Sequence, residues 1–220
     1  MTRTTRHYGR VHTVFLLDVD NTLLDNDRFN ADLDREVRAL LGDEHTARFH
    51  AIYEEVRIAC GYVDYPETLR RFAREFPEEP KYTEVCALVL GHPFDRYVFP
   101  GAFDTIRALG RRGTTVILSD GDLIFQATKI GRSGLARAVD GRVLIYEHKE
   151  TRLEEVRRRH PAECYVLVDD KPRILDEVKE REPDVVTVFV RQGKYSHDTE
   201  GCREPDHTVA RIADVAALQL

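Results

Sequence analysis

The spacing of apolar residues changes character twice along this chain. Residues 14–17 form a short continuous apolar run, the signature of a strand buried on both faces of a parallel sheet, and the run stops at Asp18. Beyond Thr22 the repeat becomes helical for some seventy residues. Phe29, Leu33, Val37, Leu40 and Leu41 share one stripe, followed by Phe49, Ile52, Tyr53 and Val56, then Leu69, Phe72, Ala73 and Phe76, then Tyr82, Val85, Cys86 and Val89. These predict four amphipathic helices, with breaks at Gly42-Asp43, Gly61, Pro66, residues 77–80 and residues 91–93. From Pro100-Gly101 onward helix and strand patterns alternate: helices over 102–112, 122–130, 151–160 and 172–181, strands over 114–118, 143–146, 165–168 and 185–190. Such alternation predicts an α/β fold, a parallel sheet with right-handed helical crossovers. The first strand joins that sheet, and a helical bundle is inserted after it. Residues 191–205 read as a polar, mobile loop.

Composition narrows the class. The 220 residues accommodate one main domain with an insertion. No segment approaches the roughly 20 apolar residues of a membrane span. The first ten residues carry Arg3, Arg6 and Arg10 but lack the apolar core of a secretion signal, so a cytoplasmic protein is expected. Cys60, Cys86, Cys164 and Cys202 are far apart and read as reduced thiols rather than a zinc site or disulfide framework. The nine histidines are scattered. A net charge of −6 disfavours nonspecific attraction to nucleic acid or anionic membrane. An anionic substrate must therefore meet locally arranged cations.

Candidate chemistry collects at the strand ends. Asp18 and Asp20 leave the first strand together at its carboxyl edge, where open α/β sheets place their sites. Two acids so close call for a positive partner, such as a hard divalent cation; an ordinary Asx turn is the plain alternative. The next strand ends in Ser119-Asp120-Gly121-Asp122, a hydroxyl and a glycine turn opening a helix. That arrangement is either an anion cradle or an N-cap. Lys149, one of six lysines, follows the strand over 143–146, and Asp169-Asp170 end the strand over 165–168. Acids for a cation, with a hydroxyl and a lysine for an anion, thus arrive at one rim from separate strands.

The order Asp18-x-Asp20-x-Thr22, Ser119, Lys149, Asp169-Asp170 resembles the four motifs of the haloacid dehalogenase-like hydrolase superfamily over essentially the whole chain. Ser119 and Lys149 lie thirty residues apart, which suits one strand-helix-strand passage. The resemblance implies a Rossmann-like catalytic core over 1–24 and 98–220, and a first-type helical cap over 25–97. It further implies that Asp18 is the nucleophile forming an aspartyl-phosphate and a Mg²⁺ ligand. Asp20 would serve as proton donor and acceptor, its carbonyl also reaching the metal. Ser119, with the Asp120 N–H, would bind phosphoryl oxygens, Lys149 would offset charge, Asp169 would ligate Mg²⁺ and Asp170 would support it. Asp120 stands where an uncharged residue is common, so its side chain is expected to turn away. Glu150 stands where proline is frequent. Lys129 competes with Lys149 for the cationic role, but its mid-helix position places it away from the expected rim.

Dehalogenases resemble the chain less, since no acid is expected in them at position 20. A phosphonate hydrolase would need a cap lysine for a Schiff base, and Lys81 beside Pro80 is the only candidate. A phosphotransferase or phosphomutase of the same superfamily uses the same acids, and a non-catalytic binding protein on this scaffold would lack at least one of them. Tyr62 and Tyr65, in the segment Gly61-Tyr62-Val63-Asp64-Tyr65, are either substrate-contacting residues closing over the site or interhelical packing. The expectation is a Mg²⁺-dependent phosphatase of a small phosphorylated metabolite, with neither nucleic acid nor membrane as partner.

Overall fold

The computed structural model describes residues 12–220; Arg3, Arg6 and Arg10 lie outside them. Six strands form one parallel sheet: β1 (Thr13–Leu17), β2 (Thr114–Asp120), β3 (Val143–Tyr146), β4 (Cys164–Asp169), β5 (Val186–Val190) and β6 (His207–Val209). Their order is β3-β2-β1-β4-β5-β6, every neighbouring pair parallel. β1 is central and buried throughout, as its uninterrupted apolar run requires. Successive side chains alternate faces. Phe15, Leu17, Ile117, Val166 and Val168 enter one apolar cluster, and Val14, Leu16, Val116, Leu118 and Leu167 another.

Between β1 and β2 lie α1 (Asn26–Cys60), α2 (Tyr65–Glu75) and α3 (Tyr82–Gly91). The first two predicted helices run on as α1, but Gly42 interrupts it with φ 72° and ψ 176°, a conformation that costs a β-carbon-free residue little. The insertion shares the apolar cluster of the first sheet face, Phe29, Leu33, Phe49, Phe72 and Val85 joining Phe15 and Leu17. Its two connections run side by side: Leu24 and Val98 form an antiparallel bridge, Asp25 N–H donates to the Tyr97 carbonyl at 2.7 Å, and Phe99 N–H donates to that of Leu23 at 2.9 Å.

The remaining helices are α4 (Ala102–Gly110), α5 (Leu123–Arg132), α6 (Leu135–Ala138), α7 (Leu153–Arg159), α8 (Pro172–Arg181) and α9 (Ile212–Val215). Leu153 and Val156 of α7 and Ile174, Leu175 and Val178 of α8 pack on the second face. Two differences from the sequence reading concern the last forty residues. β6 extends the sheet by a three-residue strand too short to leave a pattern. The segment 191–205 is folded into hydrogen-bonded turns and tied to the rim. Gln192 Nε2 approaches the carbonyls of Asn21 and Thr22 at 3.4 Å, and Lys194 N–H donates to Asp27 at 2.7 Å. None of the helices in the described residues is long and apolar enough to cross a membrane, and the four cysteines are free thiols.

Candidate active site

Parallel strands deliver their ends to one edge, and here β1, β2 and β4 do so with chemistry attached. Asp18 follows β1, its N–H donating to the Val168 carbonyl at 3.0 Å, so the acids after β1 and β4 are locked side by side. Asp18, Lys149, Asp169 and Asp170 are all essentially excluded from solvent. Lys149 Nζ donates to Asp18 Oδ1, lies 2.7 Å from Asp169 Oδ2 and 3.7 Å from Asp120 Oδ2. One oxygen each from Asp18, Asp169 and Asp170 can be chosen so that all lie within 4.8 Å of one another.

The donor set fits a divalent cation. Buried polar atoms are almost always paired, yet Asp18 Oδ2 and both Asp170 oxygens have no hydrogen-bond partner. Burial, reinforced by Asp18 and Asp169, pushes the Asp170 carboxyl up to about 9. Burial also raises Asp18, and the nearby Lys149 does not cancel the effect. Burial works against the Lys149 charge, but Asp169, Asp18 and Asp120 outweigh it and hold the ammonium well above its ordinary range. The same balance, with Asp18 foremost among the acids, raises Lys171. All-oxygen, carboxylate-rich donors are the chemistry of Mg²⁺ and its relatives.

Asp20 sits in the tight turn that follows, where Asn21 takes φ 61° and donates its N–H to the Leu24 carbonyl at 2.7 Å. Both Asp20 oxygens are held from α5: Lys129 Nζ donates to Oδ1 at 2.7 Å and Gln126 Nε2 to Oδ2 at 2.9 Å. Burial alone would raise Asp20, but Lys129 foremost, then Lys171 and Gln126, prevail and keep its carboxyl below the ordinary range. Gln126 Nε2 also lies 3.1 Å from Ser119 Oγ and 2.8 Å from the Asp120 carbonyl, stitching the ends of β1 and β2 together. Gly121 makes room for it: at φ 129°, a β-carbon would stand 3.0 Å from Gln126 Cγ.

Lys129 corrects the sequence reading. Mid-helix position placed it away from the rim, but α5 leans over the end of β1 and its side chain, only 3% exposed, reaches Asp20. Asp120 turns toward Lys149, accepting its backbone N–H at 2.9 Å, and Asp122 caps α5 by accepting from Phe125 N–H at 2.7 Å. Tyr65, for which the sequence allows either substrate contact or interhelical packing, opens α2 inside the aromatic core, its ring 4.7 Å from that of Phe125 and its hydroxyl 3.3 Å from Asn30 Oδ1. Tyr62 remains at the rim, its hydroxyl 3.4 Å from Glu147, two residues before Lys149. The sequence reading missed Gln126, Asn21 and Lys171; only Lys171, directly after the paired acids, carried a signal.

No protein-family model matches the chain, and no curated protein does. Among solved structures, a haloacid dehalogenase-like hydrolase from Burkholderia xenovorans LB400 is 44% identical with a TM-score of 0.89, the match covering 95% of this chain and 97% of that one. The chain belongs to the haloacid dehalogenase-like hydrolases. Within that family, more distant likenesses show the shared fold alone. L-2-haloacid dehalogenase from Xanthobacter autotrophicus has a TM-score of 0.60 and 18% identity, over 94% of this chain and 97% of that one. The HAD-hydrolase YfnB from Bacillus subtilis, bound to magnesium, has a TM-score of 0.63 and 16% identity, over 95% and 98%.

Proposed function

We propose that this hydrolase is a Mg²⁺-dependent phosphatase of a small phosphorylated metabolite, working through an aspartyl-phosphate. The observation that carries the reading is the second carboxylate, Asp20, held by α5 two residues beyond the buried Asp18. A reaction that expels halide has no leaving oxygen to protonate, whereas phosphate-ester cleavage needs proton transfer at the leaving oxygen and again at the attacking water.

Asp18 Oδ2, free of protein partners, is the attacking atom. Its attack on an anionic phosphoryl group meets repulsion, which Lys149 offsets from the other oxygen. Ser119 Oγ accepts from Gln126, leaving its own proton for a phosphoryl oxygen. Asp20 gives a proton to the leaving oxygen, then takes one from the water that hydrolyses the acyl-phosphate. Asp18, Asp169 and Asp170, with the Asp20 carbonyl, would hold the magnesium, which supplies charge neutralisation at the phosphoryl oxygens. The helical insertion acts as a cap, and Tyr62, whose hydroxyl donates to Glu147 at 3.4 Å, is its residue that meets substrate.

The experiment is a panel of phosphate monoesters and 2-haloacids, assayed for phosphate and halide release with and without Mg²⁺. Phosphate release that EDTA stops, and that Asp18→Asn lowers by about 10³-fold or more, is the expected result. Halide release insensitive to EDTA would overturn the reading.

A further inference from the structure

Among the described residues, Lys129 is a buried cation of the rim that pairs with Asp20 rather than with Asp18 or Asp169. It stands in mid α5, and its ammonium lies 5.6 Å from the centre of the Phe29 ring and 5.2 Å from that of Phe125. In such surroundings an aliphatic residue would pack without a desolvation cost, whereas a buried ammonium persists only if its hydrogen bonds are satisfied. Two residues accept hydrogen bonds from two of its three N–H groups. One is Asp20, and the other is Asn26, the first residue of α1, whose Oδ1 is 3.1 Å away. Gln126, one turn earlier on α5, donates to the other Asp20 oxygen. A carboxylate bonded by donors on both oxygens cannot rotate, and its remaining lone pairs point in fixed directions.

We propose that Lys129, seconded by Gln126, is a positioning residue that fixes Asp20 as the acceptor of the proton from the water attacking the phosphorylated Asp18. This rests on the aspartyl-phosphate reading. The half-reaction is balanced: the water oxygen bonds to phosphorus as the phosphorus–Oδ bond of Asp18 breaks. Asp18 leaves as a carboxylate, inorganic phosphate is released, and the water proton passes to Asp20. Lys129 touches neither reactant. The contact with Asn26 ties this orientation to the root of the helical insertion, so α5, the turn carrying Asp20 and the start of α1 form one connected unit.

The test separates the two halves of turnover with p-nitrophenyl phosphate and Mg²⁺, because nitrophenolate leaves without needing a proton. Asp20→Asn reports on the underlying reading: rapid mixing should give a nitrophenolate burst near one per active site, with an acid-stable gain of one phosphoryl group in the intact mass. Lys129→Met should also show the burst and the phosphorylated protein, with steady turnover at least tenfold below wild type. Lys129→Arg should restore most of the turnover, and Gln126→Leu, which keeps the ion pair, should show a smaller burst. If Asp20→Asn accumulates phosphorylated protein while folded Lys129→Met and Gln126→Leu do not, the positioning role is overturned and the reading stands. If none of the three accumulates it, the aspartyl-phosphate reading itself fails. A general packing defect would lower turnover with no burst and no gain in mass, which also counts against the proposal.

Discussion

Lys149 shows how a buried cation and buried acids depend on one another. Its ammonium faces Asp18, Asp169 and Asp120 with no access to water. Removing one partner of a buried ion pair strands the others, at a cost of about 3–5 kcal/mol. Lys149→Met should therefore lower the urea stability of the metal-free protein by about that amount, and added Mg²⁺ should recover part of it, because a cation can take over the stranded carboxylates. A variant as stable as wild type would contradict this account of the site. Asp18, Asp20, Asp169 and Lys149 could be read from the sequence because each follows an apolar strand closely, so strand direction alone sends it to the rim. Lys129 and Gln126 could not. A residue's place within a helix says nothing about which loop that helix leans over, and α5 was located by its packing of Phe125 against Phe29 and Tyr65.

Among the elements, the inserted helices carry two features open to measurement. Asp64 accepts Glu67 N–H at 2.7 Å at the start of α2. Its replacement by Ala removes an N-cap and should cost about 1 kcal/mol in urea unfolding, without changing activity by more than the loss of folded protein. His92, after α3, is 1% exposed, shares a 2.9 Å hydrogen bond with the Tyr97 hydroxyl and packs against Phe29. Burial lowers its pKa from the ordinary 6.5. The unfolded chain therefore takes up this proton before the folded one. The contribution of His92 is complete above about pH 6.5 and is lost as pH falls toward the folded value. Melting temperatures between pH 7.5 and 5.5 should decline less steeply for His92→Gln than for wild type; equal slopes would exclude His92 as a source. The four helical stripes were legible because long amphipathic segments repeat often enough to fix their period. β6, with three residues, gave no period to count. Tyr65 was ambiguous because aromatic residues at a helix start serve equally as lids and as core, and only its neighbours decide.

At the scale of the molecule, five carboxyl groups, from Asp18, Asp20, Asp120, Asp169 and Asp170, meet three ammonium groups, from Lys129, Lys149 and Lys171, at one edge. The excess of acid is what a divalent ion would balance. Binding to the folded state alone stabilises it by RT ln(1 + [L]/Kd), about 2.7 kcal/mol at a hundredfold excess over Kd. Mg²⁺ should raise the melting temperature in a saturable manner that EDTA reverses, and Asp169→Asn should abolish the shift while leaving a folded protein. An identical shift in that variant would place the ion elsewhere. The topology β3-β2-β1-β4-β5-β6 explains why residues as distant as 18, 119, 149 and 169 could be expected to converge, since a parallel sheet sends every strand end to the same side.

The paired connections at Leu24 and Val98 also have a mechanical meaning. They form a single narrow stem, and one of its two strands is the continuation of the turn that bears Asp20, bridged to Leu24. A stem of this kind would act as a lever whose fulcrum lies at the turn that bears Asp20. Any rocking of the inserted helices to admit a substrate or release a product would reach that turn, so that access to the rim and the orientation of the Asp20 carboxylate would be timed by the same displacement.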